Sequence, residues 1–473
     1  MSRRNKHTYW GGYLWRLAII AIVLGSAFYY GPRFYARFQH LPIEEILTSS
    51  PLKNKTFSAT VQQVQSDNLK AYLLEEHTNP IVSLSFAFQN AGAAHEPYDM
   101  LGLTTMLSEM LTAGGADYDA KTFKDLCAEY GIKLEFATTA DNFSGTLQFP
   151  KEFQAKAIEL FRAALYEPQF DEAYLALVKK RQLLALQLQD EQPAQMLANK
   201  FKQFVFAGHP YERNVLGTRE SIAKIEVADL ESYRQQKLAQ DNLLVGIAGD
   251  VTVAETEQLL KQLFADLPIT AKTDKLSPLE IETTGVKQAI SRQTAQDVAR
   301  FATQGTFRNS VDFYPLYIVN YIFGESGLNS RLNKRIREQE GLTYGIYTYL
   351  AIKKAAALIE GSFSATPENF ERAVAMLRQE WKRLGNEGIS DEELAQAKEA
   401  LIASYNLRFA STAGIADMLL AMQMYDLGID FLQKRNDYIK EVTLQAANAA
   451  AKKYFNTEPD LMYIGVIDTK ENE

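Results

Sequence analysis

The sequence is poor in the residue types that build covalent or metal cross-links. Its 473 residues include one cysteine, Cys127, so no intrachain disulfide can form. That absence does not argue against a location outside the cytoplasm, because a large domain folds without cross-links. Five histidines occur, and no two lie within one helical turn of each other. A short histidine-based metal motif is therefore excluded.

Positive charge is also scarce relative to negative charge. The chain has 50 lysine and arginine residues against 58 aspartate and glutamate residues, a formal net charge of −8. A nucleic-acid partner is therefore not indicated. The composition that remains, 47% hydrophobic and 23% charged residues, is that of a folded globular protein. Its length is sufficient for two ordinary domains.

One long hydrophobic run is present, and it lies at the N-terminus. Leu17–Tyr30, LAIIAIVLGSAFYY, is almost continuously apolar, and several basic residues precede it. This pattern predicts a cytoplasmic tail and transmembrane anchor over residues 1–31, followed by a tether over residues 32–56. The prediction for the whole chain is a single-pass inner-membrane protein whose bulk faces the periplasm. A cleaved signal peptide is the alternative, because small residues lie near the end of the run.

A second feature is the stretch 101–115, LGLTTMLSEMLTAGG, which predicts one helix ended by two glycines. Its apolar residues recur at the spacing of a buried helical stripe, namely Leu103, Met106, Leu107, Met110 and Leu111. On this pattern alone, the stretch is a core helix without any site. A strand-like run, Ile81 to Phe88, precedes it.

This strand–loop–helix segment resembles the signature segment of the pitrilysin/insulinase family of zinc metallopeptidases. In active members the helix carries the zinc motif H-x-x-E-H. The resemblance places Thr105 and Glu109 at the two histidine positions and Ser108 at the catalytic glutamate position. Hydroxyl groups are poor substitutes for imidazoles as zinc ligands, and a serine is no general base at neutral pH. The third ligand of the family, a glutamate on a later helix, corresponds to Ala185 here, so the resemblance implies no metal held by this chain.

A further element of the same family recurs around His209-Pro210-Tyr211 and continues to Gly217-Thr218. His209 could be considered as a metal ligand. It precedes a proline in a predicted turn and has no histidine neighbour, which favours a structural histidine.

The second half of the chain repeats the first at long period. Asp171 and Asp391 each precede a long predicted helix, 220 residues apart. The pattern predicts an α+β fold of two homologous domains, each an antiparallel sheet with helices on one face, preceded by the transmembrane helix. The predicted boundaries are an N-terminal domain over residues 57–266, a linker over 267–290 and a C-terminal domain over 291–473.

The second half carries the element R-E-x-x-G-L-x-Y, with Arg337 and Tyr344 at its ends. The resemblance implies that such a pair reaches a partner's zinc site and binds the substrate carbonyl and backbone. A guanidinium and a phenol can both donate hydrogen bonds to a developing oxyanion. The alternative is that Arg337 pairs with Glu338 or Glu340 and that Tyr344 packs in the sheet.

The family includes pairs of half-size subunits, one with the zinc motif and the other with the Arg/Tyr pair. This chain carries the second set. We therefore predict a non-catalytic subunit that completes the chamber and binds unfolded peptide substrate. Zinc is expected in the partner subunit and not in this chain. The alternative is a peptide-binding, chaperone-like or structural subunit with no proteolytic partner.

Overall fold

The strands and helices of the computed structural model cover residues 60–465, the part of the chain that the structure describes. The strands are β1 (Gln62–Ser66), β2 (Leu69–Glu75), β3 (Ile81–Gln89), β4 (Gly114–Gly115), β5 (Tyr118–Asp119), β6 (Lys133–Thr138), β7 (Asn142–Pro150), β8 (Leu243–Gly249), β9 (Lys287–Ser291), β10 (Asp297–Gln304), β11 (Ile346–Ile352), β12 (Ala357–Ala365) and β13 (Asp460–Gly465).

Fourteen α-helices of the described residues surround these strands. They are α1 (Leu103–Met110), α2 (Ala120–Glu129), α3 (Gln154–Tyr166), α4 (Glu172–Glu191), α5 (Pro193–Val205), α6 (Arg219–Lys224), α7 (Val227–Lys237), α8 (Val253–Phe264), α9 (Phe313–Asn320), α10 (Pro367–Glu387), α11 (Asp391–Tyr405), α12 (Thr412–Met424), α13 (Phe431–Glu441) and α14 (Leu444–Tyr454).

Each half of the chain contains one large sheet. The first has the strand order β1-β2-β8-β3-β7-β6 and the second the order β11-β12-β10-β13-β9. Neighbouring strands are antiparallel except for β2 with β8 and β13 with β9, which are parallel. The sheets are therefore mixed, where purely antiparallel sheets were predicted. Strand β9 begins at Lys287, inside the stretch that the sequence predicted as linker.

Helices cover both faces of each sheet, and the prediction of helices on one face only was wrong. Strand β3 shows why, because its interior residues are buried on both sides. On one side, Phe86 packs edge-to-face against Phe161 of α3 and Phe264 of α8. On the other side, the Ser83 hydroxyl lies 2.8 Å from the hydroxyl of Thr412 on α12.

The helices that cover these second faces are exchanged between the halves. Helix α12 belongs to the second half and packs on strands β8 and β3 of the first sheet. Helix α5 belongs to the first half and packs on strands β10 and β13 of the second sheet. Leu197 and Phe201 of α5 enter a core cluster with Ala302 and Met462 of that sheet. Each half thus completes the core of the other.

The signature helix is shorter than predicted. Helix α1 begins at Leu103 because Gly102 adopts φ +92°, a left-handed conformation that prevents the helix from extending back to Leu101. It ends at Met110, and Gly114–Gly115 pairs with Tyr118–Asp119 as a short hairpin. The predicted apolar stripe is confirmed, since all of its residues are buried.

The prediction of a transmembrane helix and of a single-pass inner-membrane location requires correction. Across residues 60–465, no helix is long and apolar enough to cross a bilayer. The longest, α10 and α4, have 21 and 20 residues and carry charged side chains along their lengths. The residues on which the prediction rested, 1–31, lie outside the described part of the chain.

Candidate functional site

The N-terminus of helix α1 is bonded to a buried carboxylate, that of Glu96. The carboxylate accepts hydrogen bonds from the backbone N–H groups of Gly102 at 2.8 Å and Thr104 at 2.6 Å, and from the Thr104 hydroxyl at 2.6 Å. Burial raises the pKa of Glu96 to about 7, although these hydrogen bonds act in the opposite direction. The N-terminus of α1 is therefore fixed by one acidic side chain, Glu96, which no sequence pattern indicated.

The three degenerate motif positions are all occupied with other bonds. The Thr105 hydroxyl donates to the backbone oxygen of Val215 at 2.6 Å, and the Ser108 hydroxyl donates to the backbone oxygen of Thr105 at 2.8 Å. The Glu109 carboxylate accepts a hydrogen bond from Arg181 on α4 at 2.8 Å. All three residues are half-buried. Thr105 and Glu109 connect α1 to neighbouring segments, whereas the bond of Ser108 lies within the helix.

These residues do not fit a zinc ion. Arg181 brings a positive charge to Glu109, where a cation would have to bind, and two neutral hydroxyls are not zinc ligands of ordinary strength. Helix α4, which supplies the third ligand in the family, faces α1 with the buried Gln182. Its amide donates to the backbone oxygens of Gly102 and Leu216. Among residues 60–465, no three His, Cys, Asp or Glu side chains are grouped so that they could hold a metal.

His209 is a structural turn residue, as its position before a proline predicted. Its Nδ1 accepts a hydrogen bond from the backbone N–H of Tyr211 at 3.2 Å, and its Nε2 lies 3.1 Å from the backbone oxygen of Ser277. The Tyr211 hydroxyl donates to Asp141 at 2.5 Å and accepts from the backbone N–H of Ala355 at 3.0 Å. This loop therefore connects the two halves.

The structure places Arg337 and Tyr344 on one helix–turn–strand segment of the second half. Arg337 lies in a π-helical turn, Asn333–Gln339, and Tyr344 lies two residues before β11. Tyr344 is 76% exposed, so it does not pack in the sheet. Glu340, one of the predicted partners of Arg337, pairs with Arg335 and Arg372 instead.

Buried hydrogen bonds hold this segment in place. The side-chain amide of Asn333, which is fully buried, donates to the backbone oxygen of Ile346 at 2.7 Å, and its oxygen accepts from the Ile346 N–H at 3.2 Å. The Thr343 hydroxyl donates to the backbone oxygen of Ser364 at 2.6 Å. These bonds attach the turn that contains Arg337 to strand β11, which follows Tyr344. Sequence reasoning missed Asn333, because a single asparagine has no diagnostic spacing.

Within the described chain, no hydrogen bond or ion pair involves the side chains of Arg337 or Tyr344. The degenerate motif makes its contacts inside the first half, while Arg337 and Tyr344 lie in the second. The structure thus brings the three motif residues together on α1 and brings Arg337 and Tyr344 together on one segment. It does not join the two groups by a hydrogen bond or salt bridge among residues 60–465.

Two models of a single peptidase family match the chain in succession. The model described as insulinase (peptidase family M16) matches residues 71–219, and the one described as peptidase M16 inactive domain matches residues 224–401. The chain belongs to peptidase family M16. This is the pitrilysin/insulinase family whose signature helix the sequence resembled, so that prediction is confirmed.

Relatives and solved structures agree with the family assignment. The chain is 26% identical to a protein of Helicobacter pylori named "Non-peptidase homolog YmxG", over 88% of this chain and 95% of the relative. It has the fold of the peptidase M16 inactive domain from Pseudomonas fluorescens, with a TM-score of 0.81, 23% identity, and 86% of this chain and 98% of the other covered. A protease from Helicobacter pylori has the same fold, with a TM-score of 0.76, 15% identity, and 86% and 100% covered. Residues 224–401 thus match the domain of the family that is described as inactive.

Proposed function

We propose that this M16 chain is the non-catalytic subunit of a two-subunit zinc metallopeptidase. It completes the peptide-binding chamber, binds unfolded peptide substrate, and presents Arg337 and Tyr344 to the reaction centre of a partner subunit that holds the zinc. The observation that carries the proposal is a contrast within one chain. The motif positions 105, 108 and 109 are engaged in structural bonds, while Arg337 and Tyr344 are held at the surface without partners among the described residues.

The chemistry of Arg337 and Tyr344 suits substrate binding. A guanidinium offers fixed N–H donors and a phenol offers one O–H donor, and both can bind a peptide carbonyl that gains negative charge in the transition state. The hydrogen bonds of Asn333 and Thr343 limit the motion of the segment. Donors fixed before the substrate arrives lose less entropy when it binds.

The strand that follows Tyr344 is suited to bind an extended peptide. Strand β11 lies at the edge of its sheet, so its outer side has no neighbouring strand in the described chain. The backbone groups of Ile346 are bonded to Asn333, so a peptide would pair with the strand beyond that residue. Tyr347 and Tyr349 are 47% and 40% exposed along it. An unfolded peptide can add to such an edge through backbone hydrogen bonds, which accept many sequences.

The alternative is a peptide-binding, chaperone-like or structural subunit without a proteolytic partner. The same edge strand supports it, and so does the lack of zinc-binding side chains at motif positions 105, 108 and 109. The name of the Helicobacter pylori relative, a non-peptidase homolog, agrees with either role. The two differ in whether a zinc-bearing M16 protein accompanies the chain and depends on it.

The test is to purify the full chain with its native associates and to assay cleavage of an unfolded peptide with and without chelator. We expect chelator-sensitive cleavage only when a subunit with an intact H-x-x-E-H motif is present. In that complex, Arg337→Ala and Tyr344→Phe should each lower kcat/KM at least tenfold, since the loss of one oxyanion donor costs roughly 10²–10³ in kcat.

Matched controls separate this role from a general surface effect. Lys334→Ala removes an exposed cation from the same π-helical turn, and Tyr98→Phe changes a tyrosine that is also 76% exposed. Both should leave the rate unchanged. Equal rates for the Arg337 and Tyr344 variants and the parent complex would favour the structural alternative, as would a complex that contains no zinc-bearing subunit.

A further inference from the structure

A second candidate binding site lies in the second half of the chain and shares only Tyr349 of strand β11 with the groups described above. It is a partly open cavity of about 200 Å³ among helices α9, α12 and α13 and strand β11. Neither Arg337 nor Tyr344 nor any of the three degenerate motif positions lines it. The proposed function assigns no role to this cavity.

Three arginines line the cavity, and two of them stack on its aromatic rings. The guanidinium carbon of Arg308 lies 4.6 Å from the centre of the Tyr425 ring, and that of Arg435 lies 4.0 Å from the centre of the Tyr405 ring. The third arginine, Arg408, is exposed at its rim. Cation–π contacts orient guanidinium groups but do not neutralise their charge.

The positive charge of these arginines is not neutralised by ion pairs. In the described part of the chain, none of the three forms an ion pair. Arg435 is 7% exposed and donates only to neutral oxygens, those of Leu401 at 3.0 Å and Asn436 at 3.1 Å. The Nε atom of Arg308 is buried without any partner. Burial of unpaired charge is costly, so the cavity is electrostatically prepared for an anion.

One carboxylate, that of Glu325, lines the cavity beside the three arginines. Its Oε2 accepts a hydrogen bond from Asn320 at 2.9 Å. Glu325 is an exposed residue as a whole, but its carboxyl group is surrounded by protein. This desolvation raises the pKa of Glu325, whereas the charges of Arg408 and Arg308 act to lower that pKa. The formal charge of the cavity is therefore +2 with Glu325 ionised and +3 with it protonated.

The remaining walls are apolar or aromatic, and they come from four different elements. They include Phe313 of α9, Leu350 of β11, Met418 of α12 and Phe431 of α13. Such walls suit a ligand with an apolar part and disfavour a small, strongly hydrated anion. The volume is below the roughly 300–1,000 Å³ that is typical of sites for drug-sized ligands. The ligand, or the part of it that enters, is therefore small.

From these observations we infer that the cavity binds an organic carboxylate that carries an apolar group. The guanidinium groups of Arg308 and Arg408 bind the carboxylate, and the rings and aliphatic side chains surround the apolar group. Two sources present this chemistry: the C-terminal residue of a peptide with an apolar side chain, and a small free carboxylic acid. The planar guanidinium fork matches a carboxylate with two parallel hydrogen bonds.

The test measures binding to the isolated full chain by calorimetry. The probes are a hexapeptide that ends in phenylalanine with a free carboxylate, the same peptide with a C-terminal amide, and N-acetylphenylalanine. We expect the free-acid peptide to bind at least tenfold more tightly than the amide, with an affinity that falls as salt is added. Stronger binding of the peptide acid than of N-acetylphenylalanine identifies the peptide C-terminus as the source, and equal binding identifies a free acid.

Variants locate the binding in the cavity. Arg308→Gln and Arg408→Gln should each weaken binding of the peptide acid at least tenfold, while Arg383→Gln, on the distant surface of α10, should not change it. Arg408 is exposed, so its replacement is tolerated even where that of Arg308 impairs folding. Glu325→Gln should tighten binding several-fold, because it removes the one opposing charge, an effect that a purely structural role would not produce.

Equal binding of acid and amide, or unchanged binding in Arg408→Gln, would overturn the inference. So would the absence of detectable binding of every probe at millimolar concentration. None of these measurements requires a zinc-bearing partner. Failure here would leave the proposed subunit role intact, and loss of that role would leave this cavity as a binding site.

Discussion

Single side chains at helix α1 show how a motif helix is retained without its chemistry. Glu96 accepts hydrogen bonds from the first turn of α1 and fixes it. Arg181 neutralises Glu109, the one acidic side chain at a motif position. Thr105 connects the helix to the loop at Val215. The positions that would otherwise form a metal site have thus become packing and hydrogen-bonding positions. Two predictions belong to this scale.

Replacement of Glu96 by glutamine should destabilise the protein in a pH-dependent way. The folded pKa of Glu96, about 7, lies above its ordinary value of 4.5, so protonated Glu96 stabilises the fold fully below pH 4.5. That stabilisation is lost as the pH rises through 7. At pH 5 we expect Glu96→Gln to lower the free energy of unfolding by about 1–3 kcal/mol, since buried donors lose their acceptor.

The difference between the Glu96→Gln variant and the parent protein should narrow at pH 8, because only the parent loses stability as the carboxyl ionises. Urea unfolding at pH 5 and pH 8 provides the measurement. Glu257→Gln, at an exposed position of α8, is the control and should show no such pH dependence. A difference that grew with pH would mean that the ionised carboxylate is the stabilising form.

Removal of metal should not affect this chain by itself. Because Arg181 already balances Glu109 and two hydroxyls stand at the other motif positions, we expect no bound cation to contribute to the stability of the fold at α1. We expect the same Tm before and after dialysis against EDTA, and less than stoichiometric zinc by elemental analysis. Stoichiometric zinc, or a Tm that falls with the chelator, would contradict this reading of the motif.

Helix exchange between the two halves is the main feature at the scale of elements. Helix α12 lies on the first sheet at Gly246, where no side chain separates helix from strand. A Cβ at this position would collide with the backbone oxygen of Ala416 and approach the backbone nitrogen of Leu420 to 2.7 Å. Glycine in β8 therefore permits a close approach that no other residue allows.

Gly246→Ala should accordingly destabilise the protein by about 1–3 kcal/mol, the usual cost of overpacking, because helix backbone rather than a flexible side chain must move. Gly327→Ala is the control substitution. No atom lies within 4 Å of a Cβ at this position, and only the backbone φ of +64° opposes the change. This strain should destabilise the protein by roughly 1 kcal/mol. Thermal unfolding ranks the two. An equal or smaller effect at Gly246 would show that α12 is not held closely against the first sheet.

At the scale of the whole molecule, the two halves are interdependent. Helix α5 covers the second sheet, helix α12 covers the first, and the Tyr211 hydroxyl binds both Asp141 and the backbone of Ala355. Loss of either half would expose the apolar face that the other half covers. We therefore expect residues 60–465 to unfold in one cooperative transition.

Two natural probes report on the halves separately. Cys127, the single cysteine, lies in the first half. Burial raises the pKa of its thiol to about 11, so it reacts slowly with thiol reagents in the folded state. Trp381 is fully buried in the second half. In a variant with Trp10→Phe and Trp15→Phe, urea midpoints from Cys127 labelling and Trp381 fluorescence should coincide. Separate midpoints would mean independent halves.

Much of the fold followed from local patterns. The buried stripe of α1, the strands near residues 133–150 and the long helix after Asp171 all appear where apolar periodicity and capping residues indicated them. The parallel strand pairs and the second layer of helices did not, because they join segments more than 90 residues apart. Such contacts leave no periodic trace in either segment.

The candidate site was predictable to the extent that it depends on residue identity. Thr105, Ser108 and Glu109 could be located from the sequence, and so could Arg337 and Tyr344. Their hydrogen bonds, the support from Asn333 and the cluster of Arg308, Arg408 and Arg435 could not. Each of those features is made by side chains from separate elements, whose meeting depends on the packing of the sheets.

The sequence by itself determined which chemical groups this protein possesses. It therefore also determined that the signature helix lacks the ligands for a hydrolytic metal. Side-chain identity is sufficient for that conclusion, because no arrangement of a threonine, a serine and one glutamate supplies the missing imidazoles. Only the tertiary structure decided what those groups bind instead, and which half covers which sheet. Both depend on contacts between segments that are distant in the chain, whose energies are set by packing and burial rather than by neighbours in sequence.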